Sequence, residues 1–258
     1  MGVIGPGARA GDGAKAAAFL GRVLRDEFDV RPGANILDFG CGGGGLATEM
    51  RALGFDAHGC DVGRFWDEDP KERLSIIEKD PYRLPYSNAA FDAVISTSVL
   101  EHAQNKVELF REIHRVLRPG GLMLHLYPGK YYLPTEPHIY VPLVSWMWPR
   151  VPQAWLGLWA ILGTRNEFQH GMHWREVVAN NATYCETGLS YWSERRYRES
   201  LRGLFEDCSF PQRLYVRHAD GGAARLARRL PFQDLTGAVL GKVRMNLLLA
   251  RKSSVRAT

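Results

Sequence analysis

Apolar residues recur along the first half of the chain at two alternating spacings. Short apolar runs, typical of buried strands, occur at residues 35–39, 56–60, 74–77, 91–97 and 122–127. Between several of them, helical spacing predicts helices over residues 14–28, 46–53 and 106–117. The last of these helices is predicted to place one apolar face inward, made of Val107, Phe110, Ile113 and Leu117. Strands and helices that alternate in this way predict an α/β fold, a parallel sheet with helices on both faces.

The alternation stops at Pro128, where an aromatic segment begins. Residues 128–183 hold five of the seven tryptophans, and we predict that they form an α-rich cap over the open edge of the sheet. Regular order returns with a predicted helix over residues 193–205 and predicted strands over residues 213–218 and 245–251. The predicted division is an N-terminal tail and helix (1–30), a core (31–127), an aromatic cap (128–183) and the C-terminal part of the core sheet (184–258).

The composition is that of an ordinary globular protein. Of 258 residues, 45% are apolar and 24% charged, which excludes disordered, collagen-like and coiled-coil chains. Four scattered cysteines without CxxC spacing predict reduced thiols and a cytoplasmic location. Residues 1–13 do not match a signal peptide, and no apolar run is long enough to predict a transmembrane helix.

Positive charge is concentrated near the C-terminus. Residues 1–190 carry 19 basic and 22 acidic side chains, whereas residues 191–258 carry 14 basic and 6 acidic ones. Such a basic part suits a solvated surface, an anionic substrate, a membrane surface or nucleic acid. Nucleic acid is the least favoured, because the arginines are not interleaved with a recognisable binding motif. A helical stripe in the cap predicts core, a lid or a helix on a membrane surface: Trp155, Leu158, Trp159 and Leu162.

A strand that runs into glycines is the most informative segment, at residues 36–45. Its Gly40, Gly42 and Gly45 satisfy GxGxxG, the dinucleotide fingerprint, which taken alone is weak. Asp38 stands two residues before the first glycine. Its carboxylate would repel a pyrophosphate by about 1 kcal/mol or more and attract a ligand with an ammonium group. The alternative is that Asp38 interacts with the N-terminus of the next helix.

Two further carboxylates follow the next two predicted strands. Asp61 comes after the second strand, where a carboxylate can accept both hydroxyls of a ribose, or it caps a turn or helix. Asp80 comes after the third strand, where it can accept from an adenine amine, or it is a turn residue. Both positions suit a nucleoside ligand.

Several motifs now stand in one order and spacing: Leu37–Gly44, Asp61, Asp80–Tyr86, Phe91–Asp92, Val99–His102 and Val116–Gly121. Over residues 30–127 the chain resembles the class I S-adenosylmethionine-dependent methyltransferases of the small-molecule type. The resemblance implies a Rossmann-like fold, with a mostly parallel seven-stranded sheet whose last strand is antiparallel, a role that residues 245–251 suit. It also implies S-adenosylmethionine as cofactor, converted to S-adenosylhomocysteine, across the carboxyl ends of the strands.

Carried over to the matching positions, the resemblance also implies a cofactor site. The methionine part would be held by Asp38, Phe39, Gly40, Cys41, Gly42 and Gly44. Asp61 with Val62 would bind the ribose, Asp80 the adenine amine, and the carbonyl of Ser96 the cofactor's amino group.

The chain departs from the family at the adenine end. Pro81 has no N–H, so the backbone hydrogen bond to adenine expected there falls to Tyr82. Phe65 and Trp66 are candidates either for packing on the adenine or for the core.

Methyl transfer is an in-line displacement for which a protein supplies alignment and a dry pocket. A hydroxyl acceptor also needs a base, and a neutral histidine suits that role. His102, after the fourth strand, is one candidate, although the Glu101-His102 pair could only shape a turn or cap a helix. Glu136 and His138 are the second, although they could only order a loop.

The expected function is therefore S-adenosylmethionine-dependent O-methylation of a small-molecule, saccharide or lipid-linked acceptor, with peripheral membrane contact as an open possibility. The alternatives are an RNA methyltransferase, a protein that binds the cofactor without catalysis, and a dehydrogenase, which Asp38 disfavours. No metal is predicted, because His170 and His173 have no evident third ligand. The sequence leaves the oligomeric state open.

Overall fold

The computed structural model describes residues 12–66 and 73–254, so most of the segment compared with a signal peptide, and Asp12's side chain, lie outside the described part. Its strands are β1 (Asn35–Phe39), β2 (Asp56–Asp61), β3 (Leu74–Ile76), β4 (Glu78–Lys79), β5 (Tyr82–Arg83), β6 (Phe91–Thr97), β7 (Leu117–Pro128), β8 (Asp207–Ser209) and β9 (Met245–Arg251). Its α-helices are α1 (Asp12–Phe28), α2 (Gly45–Ala52), α3 (Lys106–Val116), α4 (Val144–Met147), α5 (Gln153–Ile161), α6 (Trp174–Thr187), α7 (Glu194–Leu201), α8 (Gln212–His218), α9 (Gly222–Ala227) and α10 (Gln233–Val243). A 3-10 helix covers Glu167–Gln169.

Seven strands of the described part form one sheet in the order β3-β2-β1-β6-β7-β9-β8. Neighbours from β3 to β7 are parallel, and β9 runs antiparallel to both β7 and β8. The predicted mostly parallel sheet with an antiparallel last strand is confirmed. The strand order reverses between β1 and β6, so a crevice opens at the carboxyl ends of these two strands, where ligands bind in open α/β sheets.

Both faces of the sheet are covered, as predicted. Successive side chains of a strand point to opposite faces, so in β1 Leu37 packs on the side of α3 and α7, and Ile36 packs on the side of α1 and α8. The central strands are buried on both sides, which explains their continuous apolar runs. The four cysteines form no disulfide.

Helix α3 differs slightly from its prediction. Its buried face is made of Leu109, Phe110, Ile113 and Val116, whereas Val107 is exposed and Leu117 already belongs to β7. Asn105 caps its N-terminus by accepting a hydrogen bond from the backbone N–H of Glu108. The apolar face therefore lies about one residue further round the helix than predicted.

The predicted strand over residues 213–218 is wrong, because this segment is helix α8. The alternating Leu214 and Val216 are both buried, but against α1 and α10 rather than in the sheet. The sheet strand in this part of the chain is instead the short β8, which precedes α8. The predicted helix over residues 193–205 also ends earlier, at Leu201, shortly before Gly203 with its positive φ of 78°.

The aromatic segment after β7 forms helices α4 to α6 around a hydrophobic cluster of its own. Of the predicted stripe, Trp155 and Trp159 pack against this cluster, whereas Leu158 in α5 and Leu162 just after it are exposed, so the stripe is divided. The bounds of the four predicted regions remain a prediction. No helix in residues 12–66 and 73–254 combines the length and the hydropathy needed to cross a bilayer.

Candidate active site

The glycine turn lies above the carboxyl end of β1. Gly40, Gly42 and Gly44 have φ angles of 73°, 51° and 77°, values that glycine adopts without strain. The backbone N–H groups of Gly40 and Cys41 donate to the carbonyl of Cys60 at 2.7 and 3.0 Å. The turn is therefore fastened to β2, and α2 begins directly after it.

Gly40 also makes room for the loop after β6. A Cβ built on Gly40 would overlap the side chain of Val99, whereas one built on Gly33, with a φ of 88°, would meet nothing within 4 Å. We expect Gly33→Ala to cost about 1–2 kcal/mol, the strain of a left-handed alanine. Gly40→Ala adds the collision and should cost roughly 1–3 kcal/mol more, measured by urea unfolding. Equal losses in the two variants would contradict the close approach of Val99.

Asp38 is a buried carboxylate, and one of its two oxygens has no hydrogen-bond partner among the described residues. It accepts from the backbone N–H of Ala47 in α2, while its Oδ2 has no hydrogen-bond partner in the described part of the chain. Burial raises the pKa of Asp38 to about 7, and the nearby Asp61 adds repulsion. The helix N-terminus interpretation of Asp38 is present in the structure, since one oxygen accepts from Ala47. Its ligand role stays a prediction, and the other oxygen faces no donor among the described residues. Such a buried acceptor fits a donor supplied by a ligand.

Asp61 joins the end of β2 to the glycine turn. Its Oδ2 accepts from the N–H of Gly42 at 2.8 Å and its Oδ1 from the N–H of Val62 at 2.7 Å. Burial raises the pKa of Asp61. The N–H of Gly63 is a third donor to this carboxylate, which has about four acceptor positions and can still accept from a hydroxyl.

Phe65 lies beside the same turn rather than in the core. Its ring is 46% exposed, and its carbonyl oxygen is 3.3 Å from the position of a Cβ on Gly43. The structure therefore excludes the core role for Phe65, and packing on the adenine stays a prediction.

The residues predicted for the adenine end are spread between two environments. Asp80 and Pro81 are exposed in the turn of the β4–β5 hairpin. Tyr82 is buried, with its ring centroid 6.1 Å from that of Phe39. The backbone N–H of Tyr82, expected to replace the missing donor of Pro81, instead donates to the Glu108 carboxylate at 3.2 Å.

Ser96 is buried near the end of β6. Its hydroxyl lies 2.7 Å from Nδ1 of His125 on β7, and burial lowers the pKa of His125 to about 3. The two side chains thus form a pair inside the sheet. The predicted role of Ser96 concerns its carbonyl and stays a prediction.

A tight reversal after β6 carries the next group of residues to the glycine turn. Ser98 has a φ of 54°, which is strained for a residue with a side chain and common at functional sites. The N–H groups of His102 and Ala103 both donate to the carbonyl of Val99, at 2.9 and 3.1 Å. Since Val99 packs against Gly40, this reversal brings His102 close to the cofactor end of the crevice.

His102 is a neutral imidazole with a defined tautomer. Its Nδ1 lies 2.8 Å from the carbonyl oxygen of Gly188, and because a carbonyl only accepts, Nδ1 carries the proton. The lone pair is then on Nε2, which lies 3.9 Å from the Glu101 carboxylate. Burial, with the His138 ring centroid 4.6 Å away, lowers the pKa of His102 to about 4. His102 is therefore an unprotonated base at neutral pH.

Glu101 and Lys106 add two buried ionisable groups. Neither carboxylate oxygen of Glu101 hydrogen-bonds to another described residue, and burial raises its pKa to about 8. The ammonium of Lys106 donates to the carbonyls of Ala103 and Ser190 at 2.6 and 2.7 Å, and burial lowers its pKa to about 7. Several neighbouring groups with perturbed pKa values are typical of a catalytic site.

Glu136 holds the neighbouring part of the cap in place. Its carboxylate accepts from the backbone N–H groups of His138 and Ile139 at 2.7 and 2.9 Å, from His138 Nδ1 at 3.0 Å, and from the Tyr184 hydroxyl at 3.3 Å. These four donors fix the loop and the His138 ring. The loop-ordering role considered for Glu136 and His138 is thus present in the structure.

The three predicted catalytic residues are brought into one cluster: His102, Glu136 and His138. The cluster also contains residues to which the sequence assigned no catalytic role: Glu101, Lys106, Tyr184 and Tyr191. Glu101 had a local signal, since it directly precedes His102. The two tyrosines come from the end of the cap and gave no signal in the sequence.

Metal coordination has no support in the parts of the chain that the structure describes, where no group of three or more His, Cys, Asp or Glu side chains is arranged around a common point. His173, half of the HxxH pair, caps the N-terminus of α6.

Comparison with known proteins identifies the domain. Residues 37–125 match the family described as a methyltransferase domain. The solved structure of an S-adenosylmethionine-dependent methyltransferase from Mesorhizobium loti superposes with a TM-score of 0.52 at 16% identity, over 92% of this chain and 100% of that one. Phosphoethanolamine N-methyltransferase 2 from Haemonchus contortus, solved with S-adenosyl-L-methionine, gives a TM-score of 0.51 at 16% identity, over 91% and 52%.

Curated relatives match about two fifths of the chain. Sterol 24-C-methyltransferase ERG6B of Gibberella zeae is 33% identical over 109 residues, which are 38% of this chain and 29% of that protein. The ubiquinone biosynthesis O-methyltransferase of Ruegeria pomeroyi is 31% identical over 120 residues, 41% of this chain and 48% of that protein. The matched segments thus span less than half the length of either relative. The chain contains a methyltransferase domain and has the Rossmann-like fold of the class I S-adenosylmethionine-dependent methyltransferases.

Proposed function

We propose that this protein transfers the methyl group of S-adenosylmethionine to a hydroxyl group of a small-molecule, saccharide or lipid-linked acceptor, with S-adenosylhomocysteine as product. The observation that carries the proposal is the position of His102, a neutral base in the turn that packs on the glycine turn. When bound, the cofactor supplies a methyl group on a sulfonium that is already a good leaving group. The chain's own residues then need to align the acceptor and handle its proton.

The residues at the glycine turn fit this cofactor. The free Oδ2 of Asp38 would accept from its α-ammonium, and the lone pairs of Asp61 from its ribose hydroxyls. Gly42 has open space where a side chain would be, so a ligand can approach the backbone there. Asp80 remains proposed for the adenine amine. A dinucleotide fits less well, because Asp38 would face a phosphate.

His102 is proposed as the general base. Its Nε2 is free to accept the acceptor's proton, and the hydrogen bond from Nδ1 to Gly188 keeps the ring in that tautomer. The carboxyl group of Glu101, 3.9 Å from Nε2, would stabilise the resulting imidazolium when ionised. Glu136, with four donors on its carboxylate, would position His138 and the cap rather than move a proton.

The names of the relatives support a small-molecule acceptor, since they include a sterol C-methyltransferase and an O-methyltransferase of ubiquinone biosynthesis. Those names cover carbon and oxygen acceptors, so the choice of oxygen rests on the base at His102. A saccharide or lipid-linked acceptor, and contact with a membrane surface, rest on the aromatic cap and the basic C-terminal part of the chain.

Calorimetric titration tests the cofactor, and isotope labelling tests the reaction. We expect S-adenosylhomocysteine to bind and NAD to give no heat of binding. With S-adenosylmethionine carrying a labelled methyl group, we expect label in a metabolite, glycolipid or lipid fraction and none in RNA. Binding of NAD alone would overturn the cofactor assignment. Cofactor binding with no labelled product in any fraction would instead favour a protein that binds the cofactor without catalysis.

A further inference from the structure

The segment between β8 and β9 carries a dense group of exposed apolar side chains. Five large ones lie within fourteen residues. They are Leu226 (62% exposed), Leu230 (44%), Phe232 (70%), Leu235 (66%) and Val239 (51%). Single exposed apolar residues are normal, but a contiguous group of this kind marks an interaction site. We call these five residues, with Arg225, Arg229 and Lys242, the α9–α10 surface.

The geometry of α10 directs its apolar side chains away from the protein. Gly237 and Gly241 are buried against Gln212 of α8, so close that a Cβ on Gly241 would overlap its side chain. Leu235 and Val239, one helical turn apart, lie on the opposite side of α10 from these glycines. Phe232, which precedes the helix, continues the same line. Because α10 packs on α8 through its glycines, the apolar stripe formed by Phe232, Leu235 and Val239 faces solvent.

Positive charge surrounds this stripe. Residues 221–244 contain five basic side chains and one acidic one, Asp234. Arg228 donates to backbone carbonyls at the C-terminal end of α8, and Arg244 donates to the carbonyl of Leu133. The remaining three cations, Arg225, Arg229 and Lys242, are exposed and have no hydrogen-bond or ion-pair partner within the described residues.

We propose that the α9–α10 surface docks on an anionic lipid bilayer, with Phe232, Leu235 and Val239 at the boundary of headgroups and acyl chains. Cations beside an outward apolar stripe are the features that bind a helix to such a surface. A second copy of the chain is a poorer partner, because it would present the same positive charge. An anionic bilayer matches both the charge and the apolar stripe.

The position of the surface connects it with the proposed reaction. Helix α10 leads into β9, whose Met245 pairs with Pro128 at the carboxyl end of β7. There Lys242 and Lys130 line a cavity of about 220 Å³. Docking would therefore bring the carboxyl end of β7 to the lipid headgroups, which suits a lipid-linked acceptor. This link to the acceptor rests on the proposed function, whereas docking itself does not.

Vesicle co-sedimentation of the full chain tests the proposal. We expect binding to vesicles of phosphatidylcholine mixed with phosphatidylglycerol, little binding to phosphatidylcholine alone, and weaker binding at high salt. The triple variant Phe232→Ser, Leu235→Ser, Val239→Ser should lower the partition coefficient about tenfold or more. Changing Arg225, Arg229 and Lys242 to Gln should remove the dependence on phosphatidylglycerol. The control Ile76→Ser, Val107→Ser removes two exposed apolar residues that lie outside both the aromatic cap and the α9–α10 surface, and it should bind like the wild type.

Failure of the wild type to bind anionic vesicles, or equal binding by the stripe variant, would overturn the proposal. A wild-type dimer in sedimentation equilibrium that the stripe variant dissociates would assign the surface to a second copy instead. Circular dichroism and S-adenosylhomocysteine titration of every variant separate docking from folding. If no form of the protein binds S-adenosylhomocysteine while vesicle binding follows the expected order, the proposed function fails and the docking surface stands.

Discussion

Replacing His102 with alanine is expected to lower kcat by about 10²–10⁴, the usual contribution of a general base. The affinity for S-adenosylhomocysteine should be unchanged, because the contacts proposed for the cofactor come from Asp38, Asp61 and the glycine turn and not from His102. Single-turnover transfer of a labelled methyl group and calorimetry measure the two quantities. His102→Gln should lose turnover as well, because an amide does not accept the proton at neutral pH. The exposed His170 provides the control, and His170→Ala should keep wild-type turnover.

The pH profile gives the same prediction a second readout. A base must be unprotonated to act, and burial lowers the pKa of His102 from 6.5 to about 4. The step in kcat that reports protonation of His102 should therefore lie near pH 4 and not near 6.5, while a separate step near pH 8 is expected from Glu101, whose ionised form stabilises the imidazolium. A decline centred near 6.5, or normal turnover by His102→Ala, would remove His102 from the mechanism.

The core of the fold could be predicted, and the residues of the cofactor end of the site could be proposed, because their signals are local in sequence. The strand over residues 35–39, the glycines after it and the acid before them determine one turn, and each element follows from its neighbours. Asp38 could thus be assigned to the ligand site before its burial was known. The unpartnered Oδ2, which is the main support for this proposal, is seen only in the structure.

The errors and omissions share a physical cause, which is packing between distant segments. Leu214 and Val216 alternate like a strand, but the partners that bury them are on α1 and α10. The environment of His102 likewise depends on Gly188 and Tyr184, more than eighty residues further along the chain. Periodicity over a short window carries no information on such distant partners. It therefore could not predict that residues 213–218 form a helix, or which residues surround His102.

Unpartnered buried oxygen atoms occur at both ends of the crevice, on Asp38 and on Glu101. Each costs folding free energy, because a buried polar atom without a hydrogen bond has lost its water and gained nothing. Natural proteins accept such costs mainly where function needs them. At Asp38 and Glu101 this cost agrees with the roles proposed for them, whereas the unpartnered oxygens of Tyr191 and Gln212 have no proposed ligand.

Replacing Asp38 with asparagine is expected to stabilise the ligand-free protein and weaken cofactor binding at the same time. The amide oxygen can still accept from Ala47, but the negative charge is gone. In the wild type the folded-state pKa of Asp38 is raised from 3.8 to about 7, so its contribution to stability is complete below 3.8 and is lost as the pH rises through 7. Wild type and variant should therefore melt alike near pH 4. Above pH 7 the variant should melt several degrees higher, at about 2–4 °C per kcal/mol.

The ligand side of this prediction separates charge from general damage to the site. Loss of a charge-assisted hydrogen bond to the ammonium should raise the Kd of S-adenosylhomocysteine by about 10- to 100-fold. Methylthioadenosine, which has the nucleoside but no amino-acid tail, should bind Asp38→Asn and the wild type equally well. Asp61→Ala should weaken both ligands, because both carry the ribose. Equal weakening of the two ligands by Asp38→Asn would mean that the carboxylate supports the turn and does not meet the ammonium.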